Sequence, residues 1–448
     1  MALFSKPPQL EQQLDIVTLI GATPSFNTTP GFLQRGGIPP NQLPFTGGPV
    51  AIRQTIGGIT NTESFISPYT MAFSLSVQRE LTPTMALEVR YLGTRSRHLP
   101  IQVPQNFALT PAEALTIPTF FSQPTAAQLT GLPTLTNVRT RPGVRVQPYF
   151  SQGFFGGITA FLPVGNSQYD SGSVSVTRRF SQGLAFTSAY TWSKTIDDST
   201  NELFSSVANP RRPQSFNNLR DERGLSALDI PHRFVFAANY ELPFFRNSSN
   251  GFLKGVLGGL VLAPIFSTQS GQPFTPLSGV DSNQNFDTAG DRTILNPGGA
   301  SGTGSGVVAL NAQGQFLTSA GAVTTNIAAA GVGSTAAVAY LVVNPNAQYI
   351  QAGPGARATA GRNTLRSRGF NEMDLAVLKN FSFGDDDNQY NLQFGAEIDN
   401  LFNQRNRTVA TVGPTNTAFV NVFSTRFNDY SLGIVPGRTV QLRAKLIF

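Results

Sequence analysis

The last stretch of the chain, Arg438 to Phe448 (R-T-V-Q-L-R-A-K-L-I-F), limits the possible folds more than any other. Val440, Leu442, Ala444, Leu446 and Phe448 share one face of an extended chain, because successive strand side chains point to opposite sides. Thr439, Gln441, Arg443 and Lys445 share the other. One face is apolar and the other polar. A strand at the edge of a soluble sheet also alternates, but it seldom closes on an exposed apolar row capped by Phe.

Composition narrows the field further. The chain has 448 residues, 40% of them hydrophobic and 13% charged, with 43 Gly, 31 Pro and no Cys, which suits several soluble domains or one large barrel. Low charge with abundant Gly, Ser, Thr and Asn argues against an ordinary cytosolic enzyme. The longest apolar stretch, Val256 to Phe266, falls short of the roughly 18 residues of a membrane helix and contains Gly258, Gly259 and Pro264. Alternating strands escape such scans, so modest mean hydropathy is compatible with a membrane barrel. The net charge of +7 comes mostly from Arg scattered through strand ends and loops, without a basic run that would track nucleic acid. The absence of Cys excludes disulfides and thiolate metal sites.

Residues 1–66 are Pro/Gly-rich and read as loop, with Leu14 to Ile20 strand-like. Tyr69, Met71, Phe73, Leu75 and Val77 then alternate with polar or small residues, turn at Leu81 to Thr84, and return through Met85, Leu87, Val89 and Tyr91. Gly93 to Asn166 reads as irregular. A second hairpin carries Gly172, Val174 and Val176, turns at Ser181-Gln182-Gly183, and returns with Leu184, Phe186, Tyr190 and Trp192. Strands follow through Phe234 to Tyr240 and Leu260 to Phe266, where Pro264 lacks a donor and is expected at a weakly paired spot. Gly271 to Gly369 reads as the longest loop, Gly/Ala/Ser-rich and mobile in part. Met373 to Phe383, a turn at Gly384 to Asp387, and Tyr390 to Ile398 form another hairpin ahead of the terminal strand. About nine strands are visible, with short turns on one rim and long loops on the other, as in bacterial outer-membrane barrels. Aromatics gather at two levels, Phe180, Tyr240, Phe381 and Phe448 at one and Tyr91, Tyr169, Tyr190 and Trp192 at the other, as interfacial girdles do.

Several segments carry a resemblance. S-P-Y-T-M-A-F-S-L-S-V-Q-R-E-L (Ser67–Leu81), Y-L-G-T-R-S-R-H-L (Tyr91–Leu99), S-A-Y-T-W-S-K-T-I-D-D (Ser188–Asp198), D-I-P-H-R-F-V-F (Asp229–Phe236), Q-S-G-Q-P-F-T (Gln269–Thr275), G-R-N-T-L-R-S-R-G-F-N (Gly361–Asn371) and A-E-I-D-N-L-F-N (Ala396–Asn403) resemble the barrel of TonB-dependent outer-membrane transporters, Oar-like members above all. The terminal strand resembles the targeting strand that barrel-assembly machinery reads, which makes Val440, Leu442, Leu446 and Phe448 the expected assembly signal and puts Phe448 at the periplasmic rim. The expected fold is therefore all-β, an antiparallel transmembrane β-barrel seen in part, with residues 67–448 as the C-terminal portion of a barrel of about 22 strands. Pro264 departs from the small or flexible residue usual in the family, and nothing in the chain resembles a TonB box, plug or carboxypeptidase-regulatory-like domain. The opening M-A-L-F-S-K-P-P-Q-L shows no signal peptide, so the missing parts are expected elsewhere. A lone nine-stranded sheet would leave open edges in lipid at several kcal/mol per unsatisfied backbone group.

The resemblance implies an outer-membrane address, lipid and assembly-machinery contacts, an unnamed solute, and coupling to the TonB complex only by way of a plug. A structural or adhesive surface β-protein is the alternative. Glu88, Arg90, Gln393, Glu397, Asp399, Gln441 and Arg443 fall on the polar alternation and are expected to face a wet lumen. The Glu397/Asp399 pair reads as lumen charge and not as an acid/base pair. His98 and His232 have no accompanying third ligand or nucleophile and are read as structural. Asp281, Asn283, Asn285, Asp287 and Asp291 look like the start of a calcium loop, but Phe286 takes the Gly position and Arg292 the Glu position, so turn chemistry is expected. No catalytic residue, cofactor, metal or nucleic-acid partner is expected.

Overall fold

Nine long strands make one continuous antiparallel sheet, and chain order is also spatial order. They are β1 (Tyr69–Thr82), β2 (Met85–Pro104), β3 (Ile158–Ser181), β4 (Leu184–Asp197), β5 (His232–Glu241), β6 (Leu260–Gln269), β7 (Phe370–Asp385), β8 (Asn388–Asp399) and β9 (Thr439–Ile447). The computed structural model describes residues 58–61, 66–104, 116–140, 158–199, 212–214, 218–244, 249–253, 258–284, 288, 290–385, 388–412 and 417–447. Phe448, Leu14 to Ile20, and Asn285 to Asp287 lie outside the described residues. Among the described residues β1 and β9 are the free edges, and both are exposed along nearly their whole length.

The register confirms the alternation read from sequence. Across the sheet, Val77↔Val89, Val89↔Val174, Val174↔Tyr190, Tyr190↔Phe234 and Phe236↔Phe266 are directly opposite. The row continues through Met373↔Phe266, Val377↔Ala396 and Ala396↔Leu442. Opposed residues share a face, so these pairs put every predicted apolar row on the same side of the wall. Tyr169 is the exception. It pairs with Thr94 and Thr195, on the polar side, so it cannot join the lipid-facing belt of Tyr91, Tyr190 and Trp192.

The turns segregate as expected. Pro83–Thr84 and Gln182–Gly183 connect β1 to β2 and β3 to β4, and the short β7–β8 link and the β5–β6 link lie on the same rim. Gln182 and Gly183 have φ of 52° and 79°, the left-handed pair whose twist matches the flanking strands. Pro264 also sits where its chemistry demands. The β5–β6 ladder lapses between Ala237↔Ile265 and Tyr240↔Leu262, whereas the β6–β7 ladder passes Leu375↔Pro264 unbroken.

Two readings need correction. Gly93 to Asn166 is not irregular throughout, because β2 runs on to Pro104 and β3 begins at Ile158. The extension is hidden from periodicity by a break between Ser96 and Leu99, where His98 adopts φ 56°. Gly271 to Gly369 is likewise not loose coil. It folds into short sheets, one ordered Val323–Thr324, Phe316–Leu317, Val307–Leu310, Ala339–Val342 and Thr119–Phe120, another Ile294–Leu295, Ala347–Ile350 and Ala300–Ser305.

The buried core lies mainly in this cap; among the described residues of the wall only Ile101 and Val103, at the upper end of β2, are buried hydrophobics. Ile117, Leu135 and Val138, from the β2–β3 connection, pack with Val307, Leu317, Tyr340 and Ile350. Phe274 and Leu277 pack with Val409, Phe419, Val420 and Tyr430 of the β8–β9 connection. Small residues such as Ala337, Ala339, Ala347 and Ala352 are fully buried, so a composition that looks like linker is interior.

Candidate functional site

Two regions carry polar chemistry: the polar face of the wall and a charged node where the wall meets the cap. On the wall, alternation sets the side and register sets the neighbours. Gln393, Glu397 and Asp399 on β8 stand beside Gln441 and Arg443 on β9, with Glu397↔Gln441 and Asp399↔Thr439 opposed. Arg443 pairs with Glu397 at 2.6 Å, Thr439 Oγ1 donates to Asp399 at 2.7 Å, and Gln393 Nε2 donates to Asn380 Oδ1 at 2.9 Å. Glu88 and Arg90 lie on the same polar side of β2, 3.4 Å apart, with five strands between them and β8. All seven predicted lumen residues thus share one face, five of them as a cluster. The carboxylates there are matched by a cation or a hydroxyl, an arrangement suited to a wet polar surface. On the opposite face Val440, Leu442 and Leu446 are exposed as an apolar row.

Sequence reasoning missed the node. Arg292 Nη1 pairs with Glu222 at 2.8 Å, both nearly fully buried. Arg366 Nη2 pairs with Asp229 at 2.5 Å and also donates through Nη1 to the carbonyls of Asp229 and Gly271. Arg362 pairs with Asp197 and donates through Nε to the Glu222 carbonyl at 2.9 Å. Thr275 Oγ1 donates to Asn363 Oδ1 at 2.9 Å, and Asn363 Nδ2 donates to the Leu225 carbonyl at 2.6 Å. These bonds join the top of β4, the β4–β5 connection and the β6–β7 connection. The signal was present: Asp197, Asp229, Gly271, Arg362, Asn363 and Arg366 all fall inside the quoted motifs, whose meeting in space no linear reading reveals.

The remaining candidates make local contacts. His98 Nδ1 lies 3.3 Å from the Pro163 carbonyl, and His232 Nδ1 lies 2.8 Å from the Tyr190 hydroxyl. Asp291 accepts from Ser282 Oγ at 2.7 Å and from the Asn283 N–H at 3.4 Å, which is turn chemistry. Among the described residues no group of three or more His, Asp or Glu is placed to hold a metal ion. Above the wall, burial pushes the Tyr340 hydroxyl far up and it donates to the Pro354 carbonyl at 2.7 Å.

A model of the outer membrane beta barrel domain family matches residues 2–441. The chain belongs to this family. Its address is the outer membrane, and its nine-stranded sheet is barrel wall. Among solved structures the barrel is similar to the outer membrane transporter YddB from Escherichia coli, at 9% identity and a TM-score of 0.32 over 88% of this chain. The chain spans 34% of that transporter's length. No curated protein matches.

Proposed function

We propose that this barrel wall belongs to a TonB-dependent, Oar-like transporter that takes a solute across the outer membrane, with the polar face lining the route and the cap capturing the solute. The observation that supports this reading is the joining of two features on one sheet. The Gln393, Glu397, Asp399, Gln441 and Arg443 cluster faces away from the apolar row, and a folded cap stands over the rim reached by the long connections. Coupling to the TonB complex would run through a plug, as in the transporters that the motifs resemble. No enzymatic role is proposed; the Glu397 and Asp399 carboxylates are engaged by Arg443 and the Thr439 hydroxyl.

A structural or adhesive surface protein is the second reading, favoured by the extent of the cap's own core. The two diverge on deletion of the intact gene. Lost solute uptake with normal adhesion supports transport; lost adhesion with normal uptake supports the second reading. Heat-modifiable migration of the protein in outer-membrane fractions is expected under both, and a detergent-free soluble monomer would sink both.

A further inference from the structure

The apolar face of β2–β4 changes character at its upper end. Tyr91, Gly172 and Trp192 lie in one row across the three strands, next to Tyr190, and Tyr91, Tyr190 and Trp192 are all exposed. In the next row on the same face stand Asp170 and Lys194, directly opposed, and above them Arg95 opposite Gln168. Arg97, opposite Tyr69, follows.

Asp170 is fully committed. Its Oδ1 accepts from the Tyr91 hydroxyl at 2.7 Å and from Arg95 Nη2 at 3.0 Å, and its Oδ2 accepts from Gln168 Nε2 at 2.9 Å. Arg95 also lies over the Phe73 ring, 5.4 Å from its centroid. Arg223, reaching in from the β4–β5 connection, donates to Gln168 Oε1 at 3.4 Å while pairing with Asp198 at 3.6 Å. Lys194 and Arg97 have no carboxylate partner among the described residues, and Lys194 is exposed; Arg97 bonds only the Ser96 carbonyl at 3.0 Å. Four cations therefore face two carboxylates, Asp170 and Asp198, an excess of two positive charges.

Height decides what meets that charge. At about 3.3 Å rise per residue and a tilt of about 40°, each residue climbs about 2.5 Å, so ten residues span the roughly 25 Å apolar band of an outer-membrane barrel. Lys194 stands ten residues above Leu184 at the periplasmic turn, and Arg95 ten above Met85. Both sit just past the aromatic belt, where acyl chains give way to headgroups.

We propose that Lys194, Arg97 and Arg95, with Tyr91 and Trp192 beneath them, form a binding site for the phosphate of a lipid headgroup in the outer leaflet. The aromatic rings hold the upper acyl chain, Asp170 fixes Arg95, and Lys194 and Arg97 supply the uncompensated charge. Free phosphate has no means to use the aromatic row, so the site selects a lipid.

Trp192 is the chain's single tryptophan, which makes it a built-in reporter. The full chain is placed in phosphatidylcholine bilayers doped with dansyl-labelled phosphatidic acid, and energy transfer from Trp192 is followed. Transfer is expected to saturate at lower label content than with dansyl-phosphatidylcholine, and to resist inorganic phosphate. The double variant Lys194→Gln, Arg97→Gln is expected to bind the labelled lipid about 25-fold more weakly, the change that removal of two basic side chains beside a charged bilayer surface produces. Arg233→Gln, which removes one positive charge from the polar face of β5, is expected to leave binding unaltered. Equal transfer from both labelled lipids, undiminished binding by the double variant, an equal loss in Arg233→Gln, or displacement by millimolar inorganic phosphate would each overturn the site. Heat-modifiable migration of every variant reports separately on the barrel, so loss of the site and loss of the membrane fold are distinguishable.

Discussion

Arg292 and Glu222 are buried to 8% and 2% side-chain exposure, and they hold the β4–β5 connection against the cap. Removing one partner leaves the other charge buried, at a cost of roughly 3–5 kcal/mol, whereas replacing both with apolar residues of similar volume is often neutral. Glu222→Met alone is expected to make the 218–225 and 290–295 backbones exchange amide hydrogen much faster in the folded protein. The double variant Glu222→Met, Arg292→Leu should recover most of the protection; a single variant as protected as the parent would mean that the pair contributes nothing. Gly271 makes a different kind of demand. A Cβ there would run into the Ser367 carbonyl, which is backbone and cannot swing aside, so Gly271→Ala is expected to cost about 1–3 kcal/mol. Thermal unfolding of the cap, followed by Tyr fluorescence, measures it. At the far end of the β8–β9 connection, hydrogen bonds from the Ser431 side chain and backbone N–H, with Arg426 adding to them, hold the Asp429 carboxyl down at about 2 from its usual 3.8. A carboxylate depressed in the folded state stabilises above its unfolded value and loses that contribution as pH falls toward the folded one. The 426–433 turn is therefore expected to stay ordered at pH 5 and to loosen between about pH 4 and 2. Ser431 amide exchange checks this, and Asp429→Asn should abolish the pH dependence.

Strands and turns were legible where a period of two carried them, and illegible where small residues did the packing. Val440, Leu442 and Leu446 on β9, or Phe234 and Phe236 on β5, announce their side because only alternation can put them there. Ala337, Ala339 and Ala347 announce nothing, since a buried alanine and a linker alanine look alike in one dimension. The same limit hid the node: Arg362 and Asp197 are 165 residues apart in sequence. Asn363, Asn400 and Asn403, at φ of 55°, 53° and 51°, show the middle case. Each sits in a quoted motif and takes the left-handed turn that asparagine tolerates, so the motif was visible and its geometry was not. Pro264 lends itself to a test at this scale. Pro264→Val restores the donor missing from the lapsed β5–β6 ladder, and a gain of about 0.5–1.5 kcal/mol is expected if the new N–H finds a β5 carbonyl. A protected amide at position 264 together with a higher temperature for loss of heat-modifiable migration is the expected result; an unprotected amide would show that the lapse has a cause other than the missing donor.

The nine long strands obey a parity rule. All eight seams between the nine strands are antiparallel, so β1 and β9, the two free edges among the described residues, run in the same direction, both toward the rim of short turns. Pairing β9 directly with β1 would create a parallel seam, and so would pairing β9 of one copy with β1 of another around an axis along the membrane normal. No edge can be left unpaired in lipid, and bacterial outer-membrane barrels close with an even number of antiparallel strands. An odd number of further strands between β9 and β1 is therefore expected to complete the wall, whatever their source. Disulfide trapping in the membrane-embedded protein tests this directly. Ile398→Cys with Val440→Cys, opposed across β8 and β9, should cross-link, since directly opposed Cβ atoms lie about 4.5–5.5 Å apart. Val77→Cys with Leu442→Cys, one on each free edge, should not cross-link within a copy or between copies, because the intervening strands hold the edges apart. An efficient Val77–Leu442 cross-link would mean that the edges meet, and the wall would then carry a parallel seam unlike the eight it already shows.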